Sequence, residues 1–254
     1  MRLVSWNVNG LRSAEEKFIE FIKKDRPDML LVQELRARPD QLSFFVKSIP
    51  GYKTLFNPSG RPGYGGTAAY YKDDLSQIDI SKETGVDLLD TEGRSILTKI
   101  KDIFVFNFYM PNGNSSDERF RYKMDFHSAI TENSKDLLAD GKKVIITGDF
   151  NIAHTELDLF NPKTSLRSGF TREERDWFSD LLKMGFIDTF RMFENGGGHY
   201  TWWNMRDPKR EQNLGWRFDY FLVSENLKKS VGRSEILKDV YGSDHCPIML
   251  DIEI

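Results

Sequence analysis

Cysteine is nearly absent from this chain. Cys246 is the only one in 254 residues, so no intramolecular disulfide can form and no cysteine-rich zinc site can be built. Histidine is also scarce: His127, His154, His199 and His245 make up the set, no two stand at zinc-ligand spacing, and there is no H-E-x-x-H. No apolar run approaches the roughly 18 residues of a membrane span. The start, Met1-Arg-Leu-Val-Ser-Trp, runs straight into strand-like sequence without the charged, apolar and small-residue pattern of a leader. Neither sign of charge dominates, since 36 Lys and Arg stand against 39 Asp and Glu for a net charge of −3. That balance excludes a simple polybasic nucleic-acid binder and leaves room for a local basic patch. Short repeats, low-complexity tracts, linkers and a P-loop lysine motif are missing too. The expectation is a cytoplasmic protein that needs no membrane.

What is present supports one large core. With 39% hydrophobic and 13% aromatic residues the chain can bury a substantial interior, and residues 1–254 read as a single domain. Short runs rich in β-branched and aromatic residues predict strands at Leu3–Trp6, Met29–Gln33, Thr67–Tyr71, Ile96–Ile100, Ile103–Tyr109, Val144–Thr147, Phe218–Val223 and Pro247–Ile254. Phe18, Ile19, Phe21 and Ile22 predict a helix that begins near Ser13, and Tyr122, Phe126, Ala129 and Ile130 predict one across 117–138. Thr171-Arg-Glu-Glu174 is a capping-box pattern ahead of Trp177, Phe178, Leu181 and Leu182, with Gly185 to end that helix. Alternating strands and helices, with a strand pair over 96–109, predict an α/β domain with sheets inside and helices outside.

Polar residues collect where the predicted strands end, and rigid strands aim such residues well. "SWNVNG" delivers Asn7 and Asn9, "LLVQE" delivers Glu34, "IITGDFN" delivers Asp149 and Asn151, and "GSDHCPI" sets Asp244 beside His245. Any one of these is explained equally well by a turn or a solvated loop. Together Asn7, Glu34, Asp149, Asn151 and Asp244 form an all-oxygen set, which suits Mg²⁺ or Mn²⁺ rather than zinc. Carboxylates, a hard cation, one histidine and a tyrosine suit hydrolysis at phosphorus. Cys246 reads as a small buried residue, because nothing in its surroundings would activate a thiol.

The ordered set "SWNVNGLRS", "LLVQE", "EGR" (Glu92 to Arg94), "YMPNG", "GDFNIAH", "IDTFR", "YTWW", "GWRFDYFLVS" and "GSDHCPI" spreads over nearly the whole chain. It resembles the exonuclease III-type apurinic/apyrimidinic endonucleases of the endonuclease/exonuclease/phosphatase superfamily. The resemblance implies a DNase I-like four-layer α/β sandwich: two packed mixed β-sheets flanked by helices. It implies Glu34 as the main metal carboxylate, with Asn7 nearby. Asp149 is implied to position or activate water, Asn151 to hold phosphate or water, and Tyr109 to contact the scissile phosphate. His245 is implied to bind phosphate, supported by Asp219 and close enough to the metal position to count among its ligands. Asp244 is implied at a second metal position.

The same resemblance implies a pocket for a base-less sugar lined by Trp202, Trp216 and Phe218. It implies DNA contacts at Asn9, Tyr64, Gly65, Asn112 and Asn161, and Arg206 as a side chain inserted beside the lesion. By charge, Arg36, Arg94, Arg206, Lys209 and Arg210 are phosphate-contact candidates, each explained equally well as solvated surface. This chain departs from the family by following Glu34 with Leu35 and Arg36 where Thr and Lys are usual, and by Thr164–Ser168 in place of an Asn-rich stretch. The function implied is Mg²⁺-dependent cleavage 5′ to abasic sites in double-stranded DNA, with 3′–5′ exonuclease and 3′-phosphodiesterase or phosphatase activity at blocked 3′ ends, by a monomer. The rival readings are a lipid- or inositol-phosphate phosphodiesterase, against which the aromatic set argues, and a catalytically silent damage-binding protein.

Overall fold

The computed structural model describes residues 1–162, 168–204 and 210–254. In chain order the elements are β1 (Arg2–Asn7), α1 (Leu11–Asp25), β2 (Met29–Gln33), α2 (Phe44–Lys47), β3 (Tyr52–Asn57), β4 (Thr67–Lys72), β5 (Ile78–Ser81), α3 (Asp87–Asp90), β6 (Ser95–Ile100), β7 (Ile103–Tyr109) and α4 (Asp117–Ala139). There follow β8 (Lys143–Asp149), α5 (Arg172–Lys183), β9 (Phe186–Asp188), β10 (Asp219–Ser224), β11 (Val231–Ile236) and β12 (Ile248–Ile252). They build two six-stranded sheets, β11-β12-β1-β2-β4-β3 and β5-β6-β7-β8-β10-β9. Each is mixed, with one parallel pair: β1 with β2, and β7 with β8.

Side-chain alternation explains the layers. In β1, Leu3 faces the second sheet while Val4 and Trp6 face α1; in β2, Met29 and Leu31 face inward while Leu30 and Val32 face outward. The second sheet repeats the pattern: Val105, Ile145 and Phe221 join the layer between the sheets, and Phe106, Ile146 and Leu222 pack with Phe126 of α4 and Phe178 of α5. The result is helix, sheet, sheet, helix, a DNase I-like architecture. Helix α1 buries Leu11, Ala14, Phe18, Phe21 and Ile22 on one face and closes at Arg26, which adopts left-handed φ 43 and donates its N–H to Ile22 O. Helix α5 begins with the expected capping box, Thr171 Oγ1 accepting from the Glu174 N–H.

The inward rows change character along their length. Leu3 is followed by Ser5 and Asn7, Leu31 by Gln33, Val105 by Asn107 and Tyr109, and Ile145 by Thr147 and Asp149. Gln33 Nε2 donates to Asn107 Oδ1 (2.7 Å) and to Ser5 Oγ (2.9 Å), so a hydrogen-bonded layer separates the hydrocarbon interior from one end of the sandwich. The functional candidates gather at that end.

Candidate functional site

Four inward-facing residues converge because their strands end together. Asn7 closes β1, Tyr109 closes β7, Asp149 closes β8 and Asp219 opens the antiparallel β10, with Tyr109 and Asp219 both in register with Asp149. Gly148 makes the close approach possible. It sits at φ 128, and a Cβ there would lie 1.9 Å from Phe108 O. Glu34 and Arg36 follow β2 in left-handed backbone, φ 62 and 50. The loop is held there by Gly10 N to Glu34 O (2.8 Å) and Arg36 N to Gly65 O (2.9 Å). Non-glycine residues in this region are uncommon and collect at functional sites.

Asp149 is the hub. Its Oδ2 accepts from Asn7 Nδ2 (2.8 Å) and Asn151 Nδ2 (3.2 Å), and its Oδ1 accepts from the Asn151 N–H (2.8 Å). Asn151 stands at φ 52, so Asp149 and Asn151 meet through a turn. Asn151 also donates to Met110 O (3.0 Å) and accepts from Asn112 Nδ2 (3.1 Å). Asn7 Oδ1 takes the Asn9 N–H (3.0 Å). Both predicted asparagine ligands are thus engaged at both ends of the amide, and each acts here on Asp149.

His245 is buried against two carboxylates. Its Nδ1 lies 2.8 Å from Asp219 Oδ2, and its Nε2 lies 3.9 Å from Asp149 Oδ2. Burial pulls the imidazole pKa down, but Asp219 and Asp149 outweigh it and push it up to about 10. Burial also raises Asp149, to about 7, with Asp219 and Glu34 adding and His245 opposing. Tyr109 is driven well above the ordinary phenol range by burial and by the charges of Glu34 and Asp149. Asp244 accepts from Trp202 Nε1 (3.0 Å) and from Ser243 Oγ (3.2 Å).

One cavity of about 570 Å³ joins these groups to an apolar wall. Glu34, Arg36, Tyr109, Asn112, Asp149, Asn151, Asp244 and His245 line it with Asn161, Trp202, Trp216 and Phe218. The ring centroid of Phe218 lies 5.4 Å from Trp202 and 5.3 Å from Trp216.

The donors fit a hard cation. Glu34, Asp149 and Asp244 line one cavity, ligand atoms of Asp149, Asp219 and His245 lie within 4.8 Å of one another, and Asp219 Oδ1 is buried with no hydrogen-bond partner among the described residues. Among the described residues of the cavity wall, this negative charge meets Arg36, whose Nε donates to Glu34 (3.0 Å), and His245. Oxygen-rich, under-neutralised surroundings are what divalent hard cations bind.

Some sequence expectations change. Arg94 is fully buried, with its guanidinium held by Glu92, Tyr109 O and Tyr64 Oη, so it braces Tyr64 and Tyr109 and is not offered to a phosphate. Tyr64 is half-buried and Gly65 buried. Arg210 donates to Lys238 O and stacks on Tyr241 (4.2 Å) and Trp203 (4.7 Å). Arg206 and Lys209 lie outside the described residues. Cys246 is buried, and burial raises its thiol pKa. Two contributors escaped the sequence. Thr201 Oγ1 donates to Asp219 Oδ2 (2.6 Å), and buried Arg217 bonds Asp158 and Asp188 (2.7 Å each) behind the aromatic wall. A threonine in a polar loop and an arginine between two aromatics carry no signal for these roles.

With this geometry in view, a family model described as Endonuclease/Exonuclease/phosphatase family matches residues 4–245. The chain belongs to that family. Within it, the chain falls with the exonuclease III-type apurinic/apyrimidinic endonucleases. It is 39% identical over its full length to the full length of an exodeoxyribonuclease from Bacillus subtilis. It is 36% identical to a DNA-(apurinic or apyrimidinic site) endonuclease from Dictyostelium discoideum, all of this chain against 71% of that one. A solved structure of a 3′ phosphatase from Neisseria bound to a product DNA hairpin superposes over the full length of both chains, with a TM-score of 0.87 at 26% identity. No helix among the described residues is long and apolar enough to cross a membrane.

Proposed function

We propose that this member of the endonuclease/exonuclease/phosphatase family is a Mg²⁺-dependent DNA repair nuclease, with Mn²⁺ able to substitute. It hydrolyses the phosphodiester 5′ to an abasic site in duplex DNA and leaves a 3′-hydroxyl. Trimming and unblocking of 3′ ends by 3′–5′ exonuclease and 3′-phosphodiesterase or phosphatase action belong to the same site. The observation that carries this reading is the shared cavity, in which the carboxylate and imidazole cluster faces the Trp202, Trp216 and Phe218 wall. A base-less sugar fits against a compact apolar wall, and flipping it out costs less than flipping an intact nucleotide. We take residues 1–254 as one catalytic domain acting as a cytoplasmic, nucleoid-associated monomer.

The residues divide the work. Asp149, with its pKa near 7 and its position fixed by Asn7 and Asn151, orients or deprotonates the attacking water. Tyr109 stays a phenol and serves as a hydrogen-bond donor to phosphate oxygen. His245, held protonated by Asp219, offers positive charge to the phosphate. Glu34 would hold Mg²⁺, with Asp149 and Asp244 in the same cavity, and a cation bound there would supply positive charge against the phosphate. Arg36, Asn9, Tyr64, Asn112 and Asn161 position the DNA backbone. A duplex oligonucleotide with one abasic analogue, incubated with Mg²⁺ or with EDTA, tests the proposal. Metal-dependent incision supports it, binding without incision makes the protein a damage binder, and neither result makes it a phosphodiesterase of another substrate class.

A further inference from the structure

We propose that Lys123 and Glu174 are positioning residues for this reaction, a buried ion pair that holds the Asp149–Asn151 turn in its working shape. The inference rests on the function proposed above. Lys123 lies on α4 and Glu174 in the first turn of α5; both side chains are wholly buried, and Nζ meets Oε1 at 2.6 Å. Each does more than neutralise the other. Lys123 Nζ also donates to Asn151 O (2.8 Å), the carbonyl of the residue held at φ 52. Glu174 accepts from Ser168 Oγ (2.7 Å), from the Gly169 N–H (2.7 Å to Oε2), and from the Thr171 N–H and hydroxyl (2.9 Å each).

The pair therefore ties two loops together. Gly169 O accepts from Ala153 N (2.7 Å), and Phe170, next along, meets Trp216 edge-on with ring centroids 6.4 Å apart. The turn that aims Asp149 and the loop that backs the sugar pocket share one internal clamp.

A buried ion pair is a poor source of stability, because desolvation of both charges offsets their attraction, and an apolar pair of similar volume often does as well. Hydrocarbon would not fix a carbonyl in direction. An ammonium group does, and here the carbonyl belongs to a left-handed asparagine whose side chain holds the proposed catalytic aspartate. Small displacements matter at such a place, since a shift of about 1 Å far from the chemistry can cost on the order of 100-fold in rate.

The test uses the full chain with Lys123→Met, Lys123→Arg and Glu174→Gln. Single-turnover incision of abasic duplex at saturating enzyme is measured with Mg²⁺, DNA affinity with EDTA, and stability by urea unfolding. For Lys123→Met the saturated rate should fall about tenfold or more, DNA affinity should stay near the parent's, and Lys123→Arg should recover most of the rate. A parental rate in Lys123→Met overturns the proposal, as does a parallel loss of rate and affinity that arginine does not rescue. If Lys123→Met does not fold, Glu174→Gln, which keeps the shape, is read the same way: a lowered saturated rate supports the clamp and a parental one overturns it. Should the parent leave abasic duplex intact but trim 3′ ends, the substrate reading has failed, and the same variants test the clamp on 3′-end hydrolysis.

Discussion

The Nδ1 of His245 lies 2.8 Å from Oδ2 of Asp219, while the opposite ring nitrogen faces Asp149 at 3.9 Å. The folded pKa of about 10 lies above the ordinary 6.5. The charge, and the stability it contributes, is therefore fully present below that ordinary value and is lost as pH rises through the folded one. Asp219→Asn removes the nearer counter-charge and lowers the imidazole pKa. The alkaline fall of kcat/KM should then move to lower pH in the variant. A pH–rate profile beside the parent checks this, and an unchanged alkaline limb would separate His245 from phosphate binding.

Glu34 supplies a carboxylate to the cavity from a strained backbone position, φ 62. Glu34→Ala should raise the Mg²⁺ concentration needed for half-maximal activity and lower the activity at saturation. Metal titration of incision measures both. Full activity at the parent's Mg²⁺ requirement would remove Glu34 from the site.

Asp149→Asn keeps the shape and removes the charge that orients or deprotonates water. Turnover should fall on the order of 100-fold or more, the scale of general acid–base contributions, while DNA affinity in EDTA is largely retained. Equal losses in binding and turnover would instead indicate a damaged fold.

The eight strands expected from sequence are the eight interior strands of the two sheets. The four that escaped, β3, β5, β9 and β11, are the four edges. Interior strands are buried on both faces and read as apolar runs, as in Met29–Gln33. An edge strand such as β11, VGRSEI, keeps polar residues toward solvent and loses that signal. The candidate site stands out in the sequence for a related reason. Asn7, Glu34 and Asp149 each stand at or just past the end of an apolar strand, where a polar residue is conspicuous, and family motifs surround them. Arg94 misled because an arginine's sequence neighbours do not tell whether its guanidinium will meet solvent or be enclosed by Glu92, Tyr64 and Tyr109 O. Thr201 was invisible, because its partner Asp219 is brought to it only by the folded chain.

Gly148 lets β8 pass close to β7 just before Asp149. With Cβ placed 1.9 Å from Phe108 O and φ at 128, Gly148→Ala cannot be accommodated without moving backbone. The expected loss exceeds about 4 kcal/mol, the exceptional class of single substitutions, and urea unfolding measures it. A variant with parental stability would mean that the two strands separate without cost.

The proposed function makes the carboxylate cluster and the aromatic wall one site that selects a base-less sugar. Its most direct measurement is the ratio of single-turnover cleavage rates on abasic and intact duplex for the parent and for Trp216→Ala, with product ends identified. The parent should cut one bond, 5′ to the lesion, with strong preference for the abasic strand, and Trp216→Ala should lower that preference about tenfold or more while remaining Mg²⁺-dependent. A preference unchanged by loss of Trp216, or a parent that cuts both duplexes alike, would contradict it.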